Sequence, residues 1–324
     1  MHRRVSMGDV AAAAGVSAQT VSRVVNASAR VDPDTRRRVE EAMASLGYQV
    51  NRTARALRTG RFHTIGVVVA TLATVGNSRM LEGVAGSASA RGYGLTVVKL
   101  SDRAAIDDAF AHLQEQGVDG AIVVNEATAI ARGSEAPHGM KIVAVDSPLP
   151  APFATVQSDH AGGAAAATSH LLSRGHARVH HLAGPETSFA AAERQRGWVE
   201  ALADAGVARP EVARGDWSAA SGYAAGAAWA TDPAVTAVFA ANDQMALGLI
   251  RALSEAGRSV GSDVHVIGFD DVADAAEFLP PLTTVRQDFD ALGEAAVEAL
   301  VASIDGADPQ HVVLPTRLIR RASA

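Results

Sequence analysis

The sequence predicts a small all-α head joined to a larger α/β body built from two parallel, doubly wound sheets. Three observations predict it. Charge is divided along the chain: residues 1–61 hold 11 Lys and Arg against 5 Asp and Glu, whereas the other 263 hold 18 against 30. Within the basic segment, small apolar residues recur at helical spacing between Gly15 and Gly47, the punctuation of short helices. From residue 64 onward, short β-branched runs alternate with alanine-rich helical stretches, the pattern of strand–helix–strand units. A chain of 324 residues with 48% hydrophobic and 20% charged residues is long and apolar enough for two or three buried cores.

In the head, Ser6 is positioned to cap a first helix, with Asp9 as the reciprocal capping-box partner. Gly15 supplies the turn, and Val10, Ala13, Ala14 and Val16 form the small face that lets two helices cross closely. Ser17 caps a second helix in which Val21, Val24 and Val25 face inward. Ala18, Gln19, Ser22, Arg23 and Asn26 then lie on its open side, giving a helix-turn-helix. Gln can bond adenine bidentately and Arg can bond guanine O6 and N7, while Ser and Asn suit phosphate. Asp32-Pro33 opens a third helix that Gly47 closes. Asn51 to Gly60 reads as a further short helix, too short to be stable alone, that folds against a polyanion. Leu57 is its one large apolar side chain, available as a wedge in the minor groove. A basic segment carried on an acidic body has the charge pattern of a polyanion-binding module.

In the body, the runs Ile65–Val69, Leu95–Val98, Ala121–Val124, Ile142–Val145, Val179–Leu182, Val235–Phe239 and Val264–Ile267 read as buried strands. Helices are expected near 79–91, 103–116, 161–174, 190–205, 219–231 and 243–257. Continuous apolar strands separated by helices imply parallel sheets covered on both faces. Ligands in such folds sit beyond the carboxyl ends of the strands. At those ends stand Asp146, the pair Asn242 and Asp243, and the run Phe269-Asp270-Asp271, with Trp217 and Arg194 on neighbouring segments. Carboxylates, amides and a guanidinium bond paired hydroxyls, and an aromatic ring covers a C–H face. An uncharged polyol is the ligand this set suits best.

Other classes are weakly supported. The absence of cysteine rules out disulfides and thiolate metal sites. His180 and His181 are adjacent on a strand and point to opposite faces, so with His176 they make a poor metal site; no metal and no cofactor is expected. No apolar run approaches the roughly 18–20 residues of a membrane span, and no secretory signal opens the chain, so the cytoplasm is the expected compartment. A glycosidase using Asp146 and Asp270 as paired carboxylates is the enzymatic alternative. No nucleophile elbow, Walker loop, His-Glu-x-x-His or dinucleotide fingerprint accompanies it, and the expectation is a non-enzyme. A solute-binding protein would share the two-lobed body but not the helical head.

The motifs Gly15-Val16-Ser17, Thr20 to Asn26 and Asn51-Arg52 through Ala54 to Leu57 resemble the head of the lactose repressor (LacI) family of bacterial transcriptional regulators. Arg194 with Gly197-Trp198, Gly215 to Ser218, Ala241 to Gly248, Gly268 to Asp271, and Pro280 to Phe289 are similar to its effector-binding core, closer to lactose-responsive than to purine-responsive members. The resemblance implies a helix-turn-helix domain at 1–50, a hinge helix and linker at 51–61, and a two-lobed, periplasmic-binding-protein-like sugar-binding and dimerisation domain at 62–324. It implies Ala18, Gln19 and Arg23 as base readers, Ser22 and Asn26 on phosphates, and Asn51, Ala54 and Leu57 in the hinge. Asp146, Arg194, Asn242 and Asp270 become hydroxyl-binding groups, with Trp217 and Phe289 as walls and Thr71–Asn77 lining the cleft. The implied function is a repressor of operator DNA, acting as a homodimer and released by a sugar, with a galactoside favoured. The terminal Arg321-Ala-Ser-Ala324 lacks apolar heptads, so no tetramer-forming coiled coil is expected there.

Overall fold

The computed structural model describes residues 5–25, 28, 30–48, 60–100, 105–125, 127, 139–147 and 153–324. They fall into two units, Met1–Phe62 and His63–Ala324. Among the described residues, no helix is long and apolar enough to cross a membrane.

The first unit holds α1 (Met7–Ala14), α2 (Ala18–Val25) and α3 (Pro33–Leu46). Ser6 and Asp9 form the complete capping box: Ser6 Oγ accepts from Asp9 N at 3.2 Å and Asp9 Oδ2 accepts from Ser6 N at 2.8 Å. Gly15 takes the left-handed conformation, φ 63°, that ends α1 with no Cβ penalty. Ser17 Oγ then accepts from Thr20 N at 3.1 Å, starting α2. Val10, Ala11, Ala14, Val21, Val24, Val39 and Ala42 make the core, with Val16 and Val25 packed partly buried against it. One expectation is corrected: Ala13 is exposed, and Ala11 takes the inward place. Positions 10, 11 and 14 share a helix face that 13 lies outside.

The second unit has two lobes. Lobe one carries β1 (Thr64–Val69), α4 (Val75–Ala90), β2 (Gly94–Lys99), α5 (Ala105–Glu115), β3 (Gly120–Val124), β4 (Lys141–Val145) and β5 (Ala154–Ser158). Lobe two follows with α6 (His160–Ser173), β6 (His180–Ala183), α7 (Phe189–Asp204), β7 (Ala213–Arg214), α8 (Ala219–Trp229), β8 (Ala237–Ala240), α9 (Asp243–Glu255), β9 (His265–Asp270) and β10 (Thr283–Arg286). The chain then returns to lobe one as α10 (Phe289–Ile304) and β11 (His311–Leu314), and ends in lobe two as β12 (Arg317–Ile319). The sheet orders are β11-β5-β4-β3-β1-β2 and β12-β10-β9-β8-β6-β7.

All seven expected strands and six expected body helices are present, with ends shifted by a few residues. Strands β3 and β8 are buried at every position, as parallel strands covered on both faces must be. One pairing departs from the parallel pattern: β12 runs antiparallel to β10. Its cause is the route. Strand β11 finishes at the cleft end of sheet one, so the short link to β12 enters sheet two from that same end and must run away from it.

Three crossovers therefore join the lobes, at Ser158–His160, Arg286–Phe289 and Leu314–Arg317. The first and third are tied together: Asp159 N donates to Leu314 O at 2.8 Å, and Thr316 Oγ1 donates to Asp159 O at 3.1 Å. Leu292, Ala296, Val297 and Leu300 of α10 complete the lobe-one core against Val143, Val145, Ala154 and Val156.

Candidate functional site

The carboxyl ends of both sheets face a common cleft. Thr74, Gly76, Asn77, Asn125 and Asp146 line it from lobe one; Ala190, Arg194, Trp217, Asn242 and Asp270 line it from lobe two; Gln287 and Phe289 come from a crossover. At the edge, Gln244 Oε1 on α9 accepts from Val75 N on α4 at 3.2 Å, a direct hydrogen bond between lobes.

The backbone is bent to aim these side chains. Six non-glycine residues among those described have positive φ, and four line the cleft: Asn125 (50°), Asp146 (50°), Trp217 (74°) and Asp270 (114°). Such conformations cost of order 1–3 kcal/mol each and persist only where their surroundings enforce them. Here the enforcement is visible. Asp146 Oδ1 accepts from Ser158 N at 2.9 Å, and the Trp217 carbonyl accepts from Asn242 Nδ2 at 3.0 Å.

A buried charged network organises the centre. Arg194 is 4% exposed and lies 3.9 Å above the ring of Phe269 and 5.6 Å from that of Trp217. Its Nη2 stands 3.3 Å from Asp270 Oδ1, its Nη1 donates to the Ala241 carbonyl, and its Nε donates to His160 Nδ1 at 3.4 Å. His160 Nε2 in turn lies 3.0 Å from Asp146 Oδ1. Burial disfavours charge on both carboxylates, but they end on opposite sides of the ordinary range. At Asp146 burial is outweighed by His160, the Ser158 N–H and Arg194, which together hold the carboxyl below that range. At Asp270 burial prevails over Arg194 and the Gln287 amide and pushes the carboxyl up.

Fixed donors and acceptors set the polarity of the amides. The Thr71 carbonyl can only accept, so Asn77 presents Nδ2 to it at 2.9 Å and Oδ1 to Asn125 Nδ2. Asn125 Oδ1 is thereby left buried with no partner among the described residues. Likewise Gln287 Nε2 donates to Asp270 Oδ1 at 2.6 Å and leaves its Oε1 unpartnered. Both oxygens belong to cleft-lining residues and can accept from ligand hydroxyls. Asn242 differs: its Oδ1 accepts from Met245 N at 2.9 Å, so the amide is partly committed to holding Trp217 and starting α9.

All six residues expected around a ligand, Asp146, Arg194, Trp217, Asn242, Asp270 and Phe289, line this one cleft. Three neighbours named with them do not. Asp243 is fully buried, accepting from Thr284 Oγ1 at 2.5 Å and Val272 N at 2.9 Å, and burial raises its carboxyl well above the usual range. Asp271 pairs with Arg286 and Arg321 at 2.6 and 2.7 Å, and Phe269 supports Arg194 from below. Sequence reasoning missed Asn125, Ala190 and Gln287. Asn125 follows β3 as Asp146 follows β4, which was the available signal.

In the head, Ala18, Gln19 and Arg23 are exposed on α2 and Ser22 is half-buried. The remaining expected contacts, Asn26, Asn51, Ala54 and Leu57, lie outside the described residues. The three histidines considered for metal serve packing and hydrogen bonding instead. His181 stacks between Trp198 and Phe239, and His176 bonds Thr236 and His265.

Residues 6–51 match the family model described as bacterial regulatory proteins, lacI family, and residues 168–324 match a periplasmic binding protein-like domain. The chain is 36% identical to the lactose operon repressor of Escherichia coli K12, over 98% of this chain and 90% of that protein. It is also 36% identical to the transcriptional regulator CelR of Thermobifida fusca, over 99% and 98%. Among solved structures, a lac repressor dimer bound to operator and the anti-inducer ONPF superposes with a TM-score of 0.87 at 35% identity, covering 99% of each chain. A CelR–cellobiose complex gives 0.74 at 34%, covering 99% of this chain and 100% of that one.

Proposed function

This chain belongs to the lacI family of bacterial regulatory proteins, and from that premise we propose how its residues divide the work of a sugar-responsive transcriptional repressor. The observation that carries the proposal is one chain joining a helix-turn-helix, whose open face shows Gln19 and Arg23, to a cleft lined by hydroxyl-binding groups. Residues 1–50 are the DNA-binding domain, 51–61 the hinge helix and linker, and 62–324 the sugar-binding and dimerisation domain. Gln19 and Arg23 read base edges, Ala18 packs at the groove floor, and Ser22 and Asn26 contact phosphates. Asn51, Ala54 and Leu57 belong to a hinge that folds on DNA, with Leu57 entering the minor groove.

The ligand is a sugar. Asp146, Asn125, Asp270 and Gln287 accept from its hydroxyls, Arg194 and Asn242 donate, and Trp217 and Phe289 cover its apolar faces. Relatives carry names that point to lactose, ribose and cellobiose, and a galactoside stands first among effectors to test. No step of this function makes or breaks a covalent bond. The protein acts on DNA in the cytoplasm as a two-fold dimer on a palindromic operator. Sugar shifts the pose of the lobes, disfavours the folded hinge and weakens operator binding, so DNA and sugar oppose each other by a reciprocal coupling energy.

The test is to select genomic fragments of the source organism on purified protein, sequence what is retained, and repeat with a panel of mono- and disaccharides. Enrichment of one palindrome, lost with one sugar, is the expected outcome. Retention no better than that of random DNA would overturn the reading.

A further inference from the structure

His160 occupies a position that the ligand-binding reading leaves unused. It is the first residue of α6, immediately beyond the first crossover, and is 2% exposed. Its two ring nitrogens face groups from different lobes. Nε2 lies 3.0 Å from Asp146 Oδ1, which follows the last residue of β4 in lobe one. Nδ1 accepts from Nε of Arg194, on α7 in lobe two, at 3.4 Å. A guanidinium offers no acceptor, so Nδ1 carries no hydrogen and the ring hydrogen sits on Nε2, the nitrogen nearer the carboxylate. The ring is also tilted against Phe269, with centroids 5.9 Å apart, and Phe269 in turn supports Arg194. His181, a core histidine, by contrast bonds backbone, through Nδ1 to the Phe239 carbonyl.

We infer that His160 is a positioning residue that couples sugar occupancy to the pose of the lobes, by bridging the lobe-one carboxylate and the lobe-two guanidinium across the crossover. The inference rests on the cleft being the effector site. His160 and Arg194 both belong to lobe two, so a change of pose alters the distance from this imidazole to Asp146 and leaves its contact with Arg194 within the lobe. A sugar that fixes Asp146 and Arg194 thereby fixes the geometry His160 must span. Without the bridge each lobe can engage the sugar separately, and occupancy no longer dictates pose.

The test compares unaltered protein with His160→Ala, His160→Asn and His160→Gln. Asn places a polar atom near Nδ1 and can face only Arg194; Gln places one near Nε2 and can face only Asp146. Sugar affinity is measured by calorimetry with ribose, lactose and cellobiose. Operator affinity is measured without and with saturating sugar, each variant being normalised to its own sugar-free value, and folding is followed by melting temperature. Sugar affinity should fall about tenfold or more in His160→Ala, in keeping with the loss of the hydrogen bond from Arg194 and of the 3.0 Å contact with Asp146. The Asn and Gln variants should bind sugar more tightly than Ala. His160→Ala and His160→Asn should lose at least about fivefold of the sugar-driven release, because neither reaches lobe one, whereas His160→Gln, which alone can face Asp146, should keep more of it. If His160→Ala or His160→Asn melts lower yet releases operator at saturating sugar as fully as the unaltered protein, the role is structural and the inference is wrong. If His160→Ala does not fold, His160→Asn decides by the same ratio. If the unaltered protein binds none of the three sugars, the effector reading of the cleft fails and takes this inference with it; if it binds one and the variants match it, this inference alone fails.

Discussion

Replacing Gly184 by alanine should damage sugar binding from outside the cleft. Gly184 is buried just after β6, and a Cβ built there would stand 2.3, 2.4 and 2.7 Å from atoms of the Trp217 six-membered ring. Ordinary contact begins at 3.4 Å, so the ring must retreat by about 1 Å. The backbone cannot follow easily. Trp217 is held at φ 74° and its carbonyl is bonded to Asn242 Nδ2. The ring must therefore swing about its side-chain torsions, displacing the wall that it gives to the cleft. Overpacking of this kind costs about 1–3 kcal/mol of stability. Sugar binding should weaken by about 10- to 100-fold, roughly 1.4–2.7 kcal/mol. Calorimetry with the effector, beside thermal melts, measures both. Gly86→Ala is the control, because a Cβ there meets nothing within 4 Å and the helix gains propensity. A folded Gly184→Ala protein that binds sugar within twofold of the unaltered chain would refute the reasoning.

Three further outcomes are expected. Arg23→Ala should lose roughly 1–3 kcal/mol against the best operator and relax preference at one base pair, read from a selection of randomised sites; an unchanged preference removes Arg23 from the readers. Arg194→Ala leaves Asp270 buried without its cation, so it should cost about 3–5 kcal/mol in denaturant unfolding, with loss of the sugar response; a stability change under 1 kcal/mol would show that Asp270 does not depend on Arg194. His181 is pushed down to about 4 by burial, below its ordinary 6.5, so its neutral form is the one the fold favours. Its contribution is complete above pH 6.5 and is lost as pH falls through that window towards 4, of order 3 kcal/mol in all. Imidazole NMR should show no titration of His181 above pH 5, and a midpoint near 6.5 would contradict the burial argument.

Much of this molecule was legible because its elements announce themselves locally. The capping box of Ser6 and Asp9, the left-handed Gly15 and the Asp32-Pro33 start follow from rules that involve only neighbours. Central strands such as β1, β3 and β8 were legible because burial on both faces demands unbroken apolar runs. What escaped was set at long range. The short edge strands β7, β11 and β12 have mixed sequences, and only their sheet neighbours make them strands. Helix α10 was not anticipated, since its place in lobe one depends on a crossover that periodicity cannot show. At the site, the residue types after each strand identified the main cleft groups. The roles of Asn125 and Gln287 depend on which amide end is taken by a partner 48 or 17 residues away.

The interleaving of the lobes along the chain has a consequence for how the protein comes off the ribosome. Strand β5 of lobe one is complete at residue 158, but α10 and β11, which finish that lobe, begin at residues 289 and 311. At typical synthesis rates of 5–20 residues per second, roughly 7–26 s separate the end of β5 from the start of α10. Throughout that interval the apolar surface of Val143, Val145 and Val156 waits for Leu292, Val297 and Leu300. The helical head, by contrast, has its own small core and is translated first. Polymerisation thus delivers the DNA-reading part early and the sensing part last, and a chain interrupted before residue 289 would carry a head whose occupancy no sugar could control.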